Sequence, residues 1–145
     1  MDRVEALRAL VRMSRLLERA SGELSLAHYR VLAAVADGDE RASHVAARLA
    51  LGKPTISASV DALCRRGLLM REHNMDDQRV VALRLTPQGQ AALGAAEIAM
   101  LGRLDAALQH ADDPGHLVDA LGGLATALDR LSAARLAERL AGRHA

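Results

Sequence analysis

The chain has 145 residues, half of them hydrophobic, with one Tyr and no Phe or Trp, so its core must be aliphatic. It has one Cys, no signal-peptide pattern and no apolar run of the roughly 20 residues that span a bilayer, which predicts a cytoplasmic protein without disulfides or membrane association. The net charge is only +1, but residues 41–84 carry eight basic and four acidic side chains, a net charge of +4.

Two helices are predicted in the first 38 residues. The first is about five turns long and ends near Ser21. The second begins after Ser25, whose hydroxyl suits an N-cap, and ends at Gly38. The apolar stripe of the first helix is Leu7, Leu10, Met13, Leu17 and Ala20, and the predicted buried residues of the second are Leu26, Tyr29, Leu32 and Ala33, or close neighbours of these.

The third and fourth predicted helices follow at once. "RASHVAARLALG" indicates a short helix that is capped by Ser43 and ended by Gly52. "KPTISASVDALCRRG" indicates a helix with Pro54 in its first turn, where a missing N–H costs little. The predicted buried residues are Val45, Ala46 and Leu49, then Ile56, Val60 and Leu63.

The hydrophobic period then changes from helical to two. "LLMREH" and "RVVALRL" alternate, with Val81, Leu83 and Leu85 on one side, which predicts a hairpin with a charged tip at residues 74–79. Thr86 and the proline after it restart a helix, which carries Leu93, Met100, Leu101, Leu104 and Leu108. A last helix begins near residue 114, and its leucines at spacings of four and three favour a partner helix: Leu117, Leu121, Leu124, Leu128 and Leu131.

Helix, turn, helix and charged hairpin in this order indicate a winged helix-turn-helix. The helix at residues 53–66 would lie in the major groove of DNA, and Arg79 at the hairpin tip would enter the minor groove. Asp77 would shape the tip by accepting hydrogen bonds from the backbone amides of the turn or by holding an arginine side chain in place. The basic middle of the chain fits a polyanion partner, although a solvated charged face explains the charge alone equally well.

The sequence resembles the MarR-type transcriptional regulators over nearly its whole length. The resemblance is carried by "LSLAHYRVLAAVA", "HVAARLALGKPTISASVDALCRRGLLMR" and "DDQRVVALRLTPQG", the last with the family's Asp-x-Arg signature at Asp77–Arg79. It implies a mainly α fold with a small β-hairpin wing, and a homodimer on double-stranded DNA whose repression a ligand or an oxidant relieves. Residues 25–88 would form the winged lobe, and residues 1–22 and 90–145 the helical dimerisation region.

The predicted DNA-contacting residues lie mostly on the fourth helix and the hairpin. Thr55, Ser57 and Ser59 would bind bases, and Lys53 and Arg65 would bind phosphates. The full predicted set is Ser43, Lys53, Pro54, Thr55, Ser57, Ala58, Ser59, Asp61, Arg65, Arg71, Asp77 and Arg79.

Two further sites are predicted with simpler alternatives beside them. A small-molecule effector pocket would be lined by Met13, His28, Tyr29 and Met100, although Tyr29 also suits a core position. Cys64 has the arginine neighbours typical of reactive thiols, but a lone cysteine on a helix is more often a packing residue.

Catalysis and metal binding are not predicted. No nucleophile elbow or phosphate loop is present, so an enzyme is disfavoured. The loop "HADDPGH" has metal-ligand residue types at His110, Asp112, Asp113 and His116, but loops between helices are commonly polar, and we expect neither metal nor cofactor. Two alternatives stay open: a helical dimer that binds a protein instead of DNA, supported by the small Ala58 on the fourth helix, or a redox sensor acting through Cys64.

Overall fold

The computed structural model describes residues 1–73, 76 and 81–142, which form six helices and one antiparallel hairpin. This is the mainly α fold with a β-hairpin that the sequence predicts. No helix among these residues is long and apolar enough to cross a membrane. The elements are α1 (Arg3–Ala20), α2 (Leu26–Ala36), α3 (Ala42–Leu49), α4 (Lys53–Arg65), β1 (Leu69–His73), β2 (Val81–Leu85), α5 (Pro87–Leu108) and α6 (Pro114–Gly142).

Side-chain caps fix where α1, α2, α5 and α6 begin. The predicted caps are confirmed for α2, where the Ser25 hydroxyl accepts a hydrogen bond from the backbone N–H of His28, and for α5, where Thr86 accepts from Gly89. At α1 the Asp2 carboxylate accepts from the N–H of Glu5, and the Glu5 carboxylate accepts from the N–H of Asp2. This reciprocal capping box was not predicted from the sequence.

The predicted boundaries of α3 are wrong at both ends. Its N-cap is Arg41, which makes no side-chain cap hydrogen bond, and Ser43 lies exposed inside the first turn. The reason is tertiary: the carbonyl of Glu40 accepts a 2.6 Å hydrogen bond from the N–H of Leu83, which holds the chain before α3 extended along β2. The helix ends with Ala50 in the left-handed region (φ 54°), whereas Gly52 serves as the N-cap of α4.

The core lies where α2, α3, α4, the hairpin and α5 meet. The predicted inner face of α4 is confirmed, since Ile56, Val60 and Leu63 are buried. In α2, Leu32 is buried as predicted, but Leu26, Tyr29 and Ala33 are only half-buried. The helix contacts α3, α4, α5 and β2, and the residues that it buries among them are Val31, Leu32, Ala34 and Val35. The other core residues include Val31, Ala34, Val35, Val45, Ala46, Leu68, Leu69, Leu83, Leu93, Ala96 and Met100.

The hairpin is tied to the start of α5. Leu69 pairs with Leu85 and His73 with Val81, so the strands run together towards residues 74–79. At the other end, the carbonyl of Leu68 accepts from the N–H of Thr86 at 3.2 Å. A Cβ on Gly89 would lie only 1.9 Å from that carbonyl oxygen. Glycine is therefore the residue that lets α5 start against the α4–β1 turn.

The terminal helices are packed much less completely. Neither α1 nor α6 contains a buried residue. α1 packs against α5, and α6 packs against α3, where the Ser132 hydroxyl donates to the carbonyl of Arg48 at 3.4 Å. The large apolar side chains that stay exposed on these helices are Val4, Leu7, Leu10, Val11 and Leu16 on α1, and Leu117, Val118, Leu124, Leu128, Leu131, Leu136 and Leu140 on α6.

Candidate nucleic-acid interface

Helix α4 presents an exposed polar face opposite its buried one. At 100° per residue, Pro54, Ala58, Asp61 and Arg65 lie along the centre of the outer face. Ser59 turns towards the buried side and is half-buried. The predicted contact residues of α4 that are exposed on the outer face or its edges are Pro54, Thr55, Ser57, Ala58, Asp61 and Arg65. Lys53 is exposed at the first residue of the helix, and Ser43 on α3 is exposed as well.

Two of the predicted contact residues bind each other. The Arg71 guanidinium on β1 donates to the Asp61 carboxylate on α4 and forms an ion pair with it. This hydrogen bond raises the pKa of Arg71, against the smaller opposing effect of burial. The pair joins the hairpin to the outer face of α4, because the two side chains come from adjacent elements of the lobe.

Arg84 on β2 bridges two glutamates. Its Nε donates to Glu72 on β1 at 3.0 Å, and its Nη1 donates to Glu40 before α3 at 2.8 Å. The hydrogen bond to Glu72, followed by the charge of Glu40, raises the pKa of Arg84. Because all three side chains are about half exposed, we expect the bridge to orient the hairpin and to contribute little to stability.

Pairing reduces the positive charge that the sequence suggests. Arg48 on α3 binds Asp37 at 3.0 Å and Asp39 at 3.2 Å, and both acids lie outside residues 41–84. Within the described part of the chain, Lys53 and Arg65 make no ion pair. The two cations lie at opposite ends of α4, a spacing that suits contacts to phosphates on either side of a groove.

The tip of the hairpin cannot be compared with its prediction. Asp77 and Arg79 lie outside the described residues, and Asp76 is exposed. The strands on either side of the tip are those predicted, and Leu83 is the buried member of the predicted apolar side while Val81 and Leu85 are half-buried.

A cavity of about 410 Å³ lies between α1, α2 and α5. Of the four predicted pocket residues, Tyr29 and Met100 line it, whereas Met13 and His28 do not. His28 is one residue before Tyr29 and therefore turns about 100° away on α2, towards Arg66. The lining residues are Leu17, Leu26, Tyr29, Arg30, Glu97, Met100, Leu101 and Leu104.

The polar side of this cavity was missed at the level of sequence. The Tyr29 hydroxyl donates to the Glu97 carboxylate at 3.4 Å, and burial, followed by the charge of Glu97, raises the pKa of Tyr29. Glu97 lies on α5 one turn from both Leu93 and Leu101, so an acid inside an apolar stripe was the available signal. Arg30 carries no comparable signal, since arginine is common on helix surfaces.

The remaining candidate residues have structural roles or stay predictions. Among the described residues, no group of three or more metal-ligand side chains comes together, and in "HADDPGH" Asp113 instead accepts from the N–H of His116 at 2.9 Å at the start of α6. Cys64 is half-buried on α4 close enough to Arg71 to interact with its charge. Redox sensing through Cys64 stays a prediction.

Comparisons with known proteins give consistent results. Residues 24–89 match the family described as a winged helix DNA-binding domain. The structure is similar to the transcriptional repressor CouR bound to a 23-mer DNA duplex (27% identity over 84% of this chain and 88% of that chain, TM-score 0.73). It is also similar to the PcaV regulator of Streptomyces coelicolor in complex with its natural ligand (26% identity over 88% of this chain and 94% of that chain, TM-score 0.65). A third similar structure is a MarR family transcription regulator (24% identity over 93% of this chain and 90% of that chain, TM-score 0.72). No curated protein sequence matches the chain.

Proposed function

We propose that the chain is a winged-helix DNA-binding transcription regulator of the MarR type that acts as a homodimeric repressor on a pseudo-palindromic operator. The observation that carries the proposal is the outer face of α4, where exposed hydroxyls and Arg65 stand opposite a fully buried stripe and beside a hairpin. Lys53 is exposed at the start of the helix, and neither cation forms an ion pair within the described residues. A relative of 27% identity has been solved on a DNA duplex and is described as a repressor. We expect such a protein in the cytoplasm, where its DNA partner lies.

Dimerisation is proposed from the exposed apolar faces of the terminal helices. α1 and α6 carry no buried residue in one chain, and leucines recur along α6 at the spacing that suits a partner helix. Residues 1–22 and 90–145 would form the dimer, and residues 25–88 the winged lobe. Two lobes related by a two-fold axis would place their α4 helices in major grooves about one helical turn apart, roughly 34 Å.

The roles of individual side chains follow from their place on the lobe. Thr55 and Ser57 are exposed and suited to hydrogen bonds with bases, and Lys53 and Arg65 are suited to phosphates. Ser59 becomes a poorer candidate for base contact, because it is half-buried. We propose that Arg79 enters the minor groove, where negative potential is concentrated.

We also propose that a small molecule regulates DNA binding through the cavity between α1, α2 and α5. The walls are aliphatic, and Arg30 and the Tyr29–Glu97 pair supply its polar groups. A ligand of mixed character, apolar with one or two hydrogen-bonding groups, suits this lining. Support comes from the PcaV structure, which contains that protein's natural ligand.

Mobility-shift titration with the DNA that flanks the gene tests the proposal. We expect binding that exceeds binding to random DNA of equal length. Arg79→Ala should weaken binding and lower the slope of log affinity against log salt by about one unit or less, because one phosphate-neutralising charge is lost. Arg103→Ala on α5 removes the same charge outside the lobe and serves as the control.

Two results would contradict these assignments separately. An unchanged salt dependence in Arg79→Ala would remove the hairpin tip from the DNA contact. Equal binding to flanking and random DNA would favour the alternative of a helical dimer that binds another protein.

A further inference from the structure

The outer face of α4 includes one acidic side chain, Asp61. An acid is unexpected at this position, because the phosphates of bound DNA would repel its carboxylate. We propose that Asp61 is a selectivity residue: through its ion pair with Arg71 it keeps that arginine from binding DNA of the wrong sequence. The inference rests on the proposed function, since it assumes that the outer face of α4 meets DNA. It adds to that function a physical reason why the protein would bind its operator more tightly than random DNA.

The position of Asp61 places it inside the proposed contact. It lies one turn after Ala58 and one turn before Arg65, along the centre of the outer face. Arg65, at the i+4 position, is available as a partner on the same helix. The carboxylate instead binds Arg71 on β1, so the pair links the two elements that would approach the duplex.

The exposure of the pair lets it exchange partners. The side chains of Arg71 and Asp61 are 41% and 51% exposed, so neither is locked in the interior. In the major groove, a carboxylate can accept from the exocyclic amino group of cytosine, and a guanidinium can bind guanine or phosphate. On DNA that offers such an amino group opposite α4, both partners are satisfied when the pair opens.

On DNA without that group, opening the pair is unfavourable. The freed carboxylate would face phosphates with no donor to bind, and this repulsion offsets what Arg71 gains from a phosphate. The closed pair is electrically neutral and adds little to non-specific attraction. Asp61 therefore disfavours wrong sequences more than it favours the right one, which is a common source of specificity.

The test compares two duplexes, the DNA flanking the gene and a random sequence of equal length, by fluorescence anisotropy between about 50 and 200 mM salt. Asp61→Asn should tighten binding to the random duplex. One further phosphate contact should make that affinity fall an additional ~3.5-fold over this salt range. The preference for flanking DNA should shrink accordingly. Asp105→Asn on α5 makes the same charge change outside the lobe and should leave the preference unchanged.

A double-mutant cycle isolates the pair. The double variant Asp61→Asn/Arg71→Gln has neither the pair nor the freed arginine, so it should bind the random duplex with the affinity and salt dependence of the wild type. Circular dichroism melts of all variants check that the surface substitutions leave the fold intact.

The outcomes separate this inference from the proposed function. If wild type prefers flanking DNA but Asp61→Asn leaves the preference and the salt dependence unchanged, the selectivity role is overturned alone. Tighter binding to the random duplex that persists in the double variant also overturns it, because the gain would then not come from Arg71. If wild type shows no preference, the operator function fails and the selectivity role fails with it.

Discussion

The winged lobe buries leucine side chains that the terminal helices leave exposed. Leu32 and Leu63 in the lobe are 0% exposed, whereas Leu128 and Leu131 on α6 are 52% and 46% exposed. A helix of 29 residues is about 44 Å long, which exceeds the width of a small domain. A lobe of this size can cover its own short helices but cannot cover α6 along its length.

The difference indicates which part of the chain is complete in itself. In the lobe, helices and hairpin enclose one continuous core that Leu93, Ala96 and Met100 of α5 complete, so its stability depends on packing within one chain. The terminal helices leave a long apolar surface, of a kind that soluble proteins rarely expose to water without a partner. We therefore expect mutations in the two regions to respond differently to protein concentration.

The largest expected effect comes from a matched pair of leucine truncations. Leu63→Ala should lower the free energy of unfolding by about 2–5 kcal/mol at every protein concentration, because it leaves a cavity in the lobe. Leu128→Ala should have an effect that depends on concentration, since its packing partner would be a second chain. Urea denaturation at concentrations a hundredfold apart measures both. A concentration-independent loss in Leu128→Ala would break the comparison.

A smaller effect is expected where the lobe joins α5. Gly89→Ala should cost about 1–3 kcal/mol or more, because its Cβ would overlap the carbonyl oxygen of Leu68 and force backbone to shift. Gly94→Ala on the same helix meets nothing within 4 Å in the described chain and should stabilise α5 by up to about 1 kcal/mol. Shifts in melting temperature of opposite sign for the two variants would place the strain at the α4–β1 turn. Equal shifts would argue against it.

The smallest expected effect concerns pH at the edge of the lobe. Burial, and then the charge of Arg66, lowers the pKa of His28 from 6.5. The unfolded chain therefore binds this proton more readily than the folded chain does. The contribution of His28 to stability is full above pH 6.5 and is lost as the pH falls through its lowered folded-state pKa.

His28→Gln should flatten the dependence of the melting temperature on pH below about 6.5. Ala27→Gln, at the exposed neighbouring position on α2, introduces the same side chain without removing a titratable group and should leave that dependence as in the wild type. If His28→Gln keeps the wild-type dependence of the melting temperature on pH, that dependence comes from another titratable group.

Much of the lobe could be predicted because its signals are local. The caps at Ser25 and Thr86 act within one helical turn, and Pro54 selects a first turn by its own ring. The inner face of α4 follows from the helical period. The prediction failed at Ser43, where a hydrogen bond between Glu40 and Leu83, far apart in sequence, decides which residue precedes α3.

The site was predictable as a set of positions and not as a set of partners. Residue type and helical period were enough to place Thr55, Ser57 and Arg65 on the outer face of α4 or at its edges. They did not indicate that Asp61 and Arg71, both expected to contact DNA, bind each other. In the cavity, Tyr29 was named without Glu97, which lies 68 residues away.

The sequence by itself determined the helices, the hairpin and the outward face of α4, because capping, periodicity and turn chemistry act between residues a few positions apart. The tertiary structure decided the start of α3, the lining of the cavity and the ion pairs of Asp61 and Arg84, one of which spans 44 residues. Such partners are chosen by how the elements pack, and exposed charges contribute too little energy to fix that packing themselves.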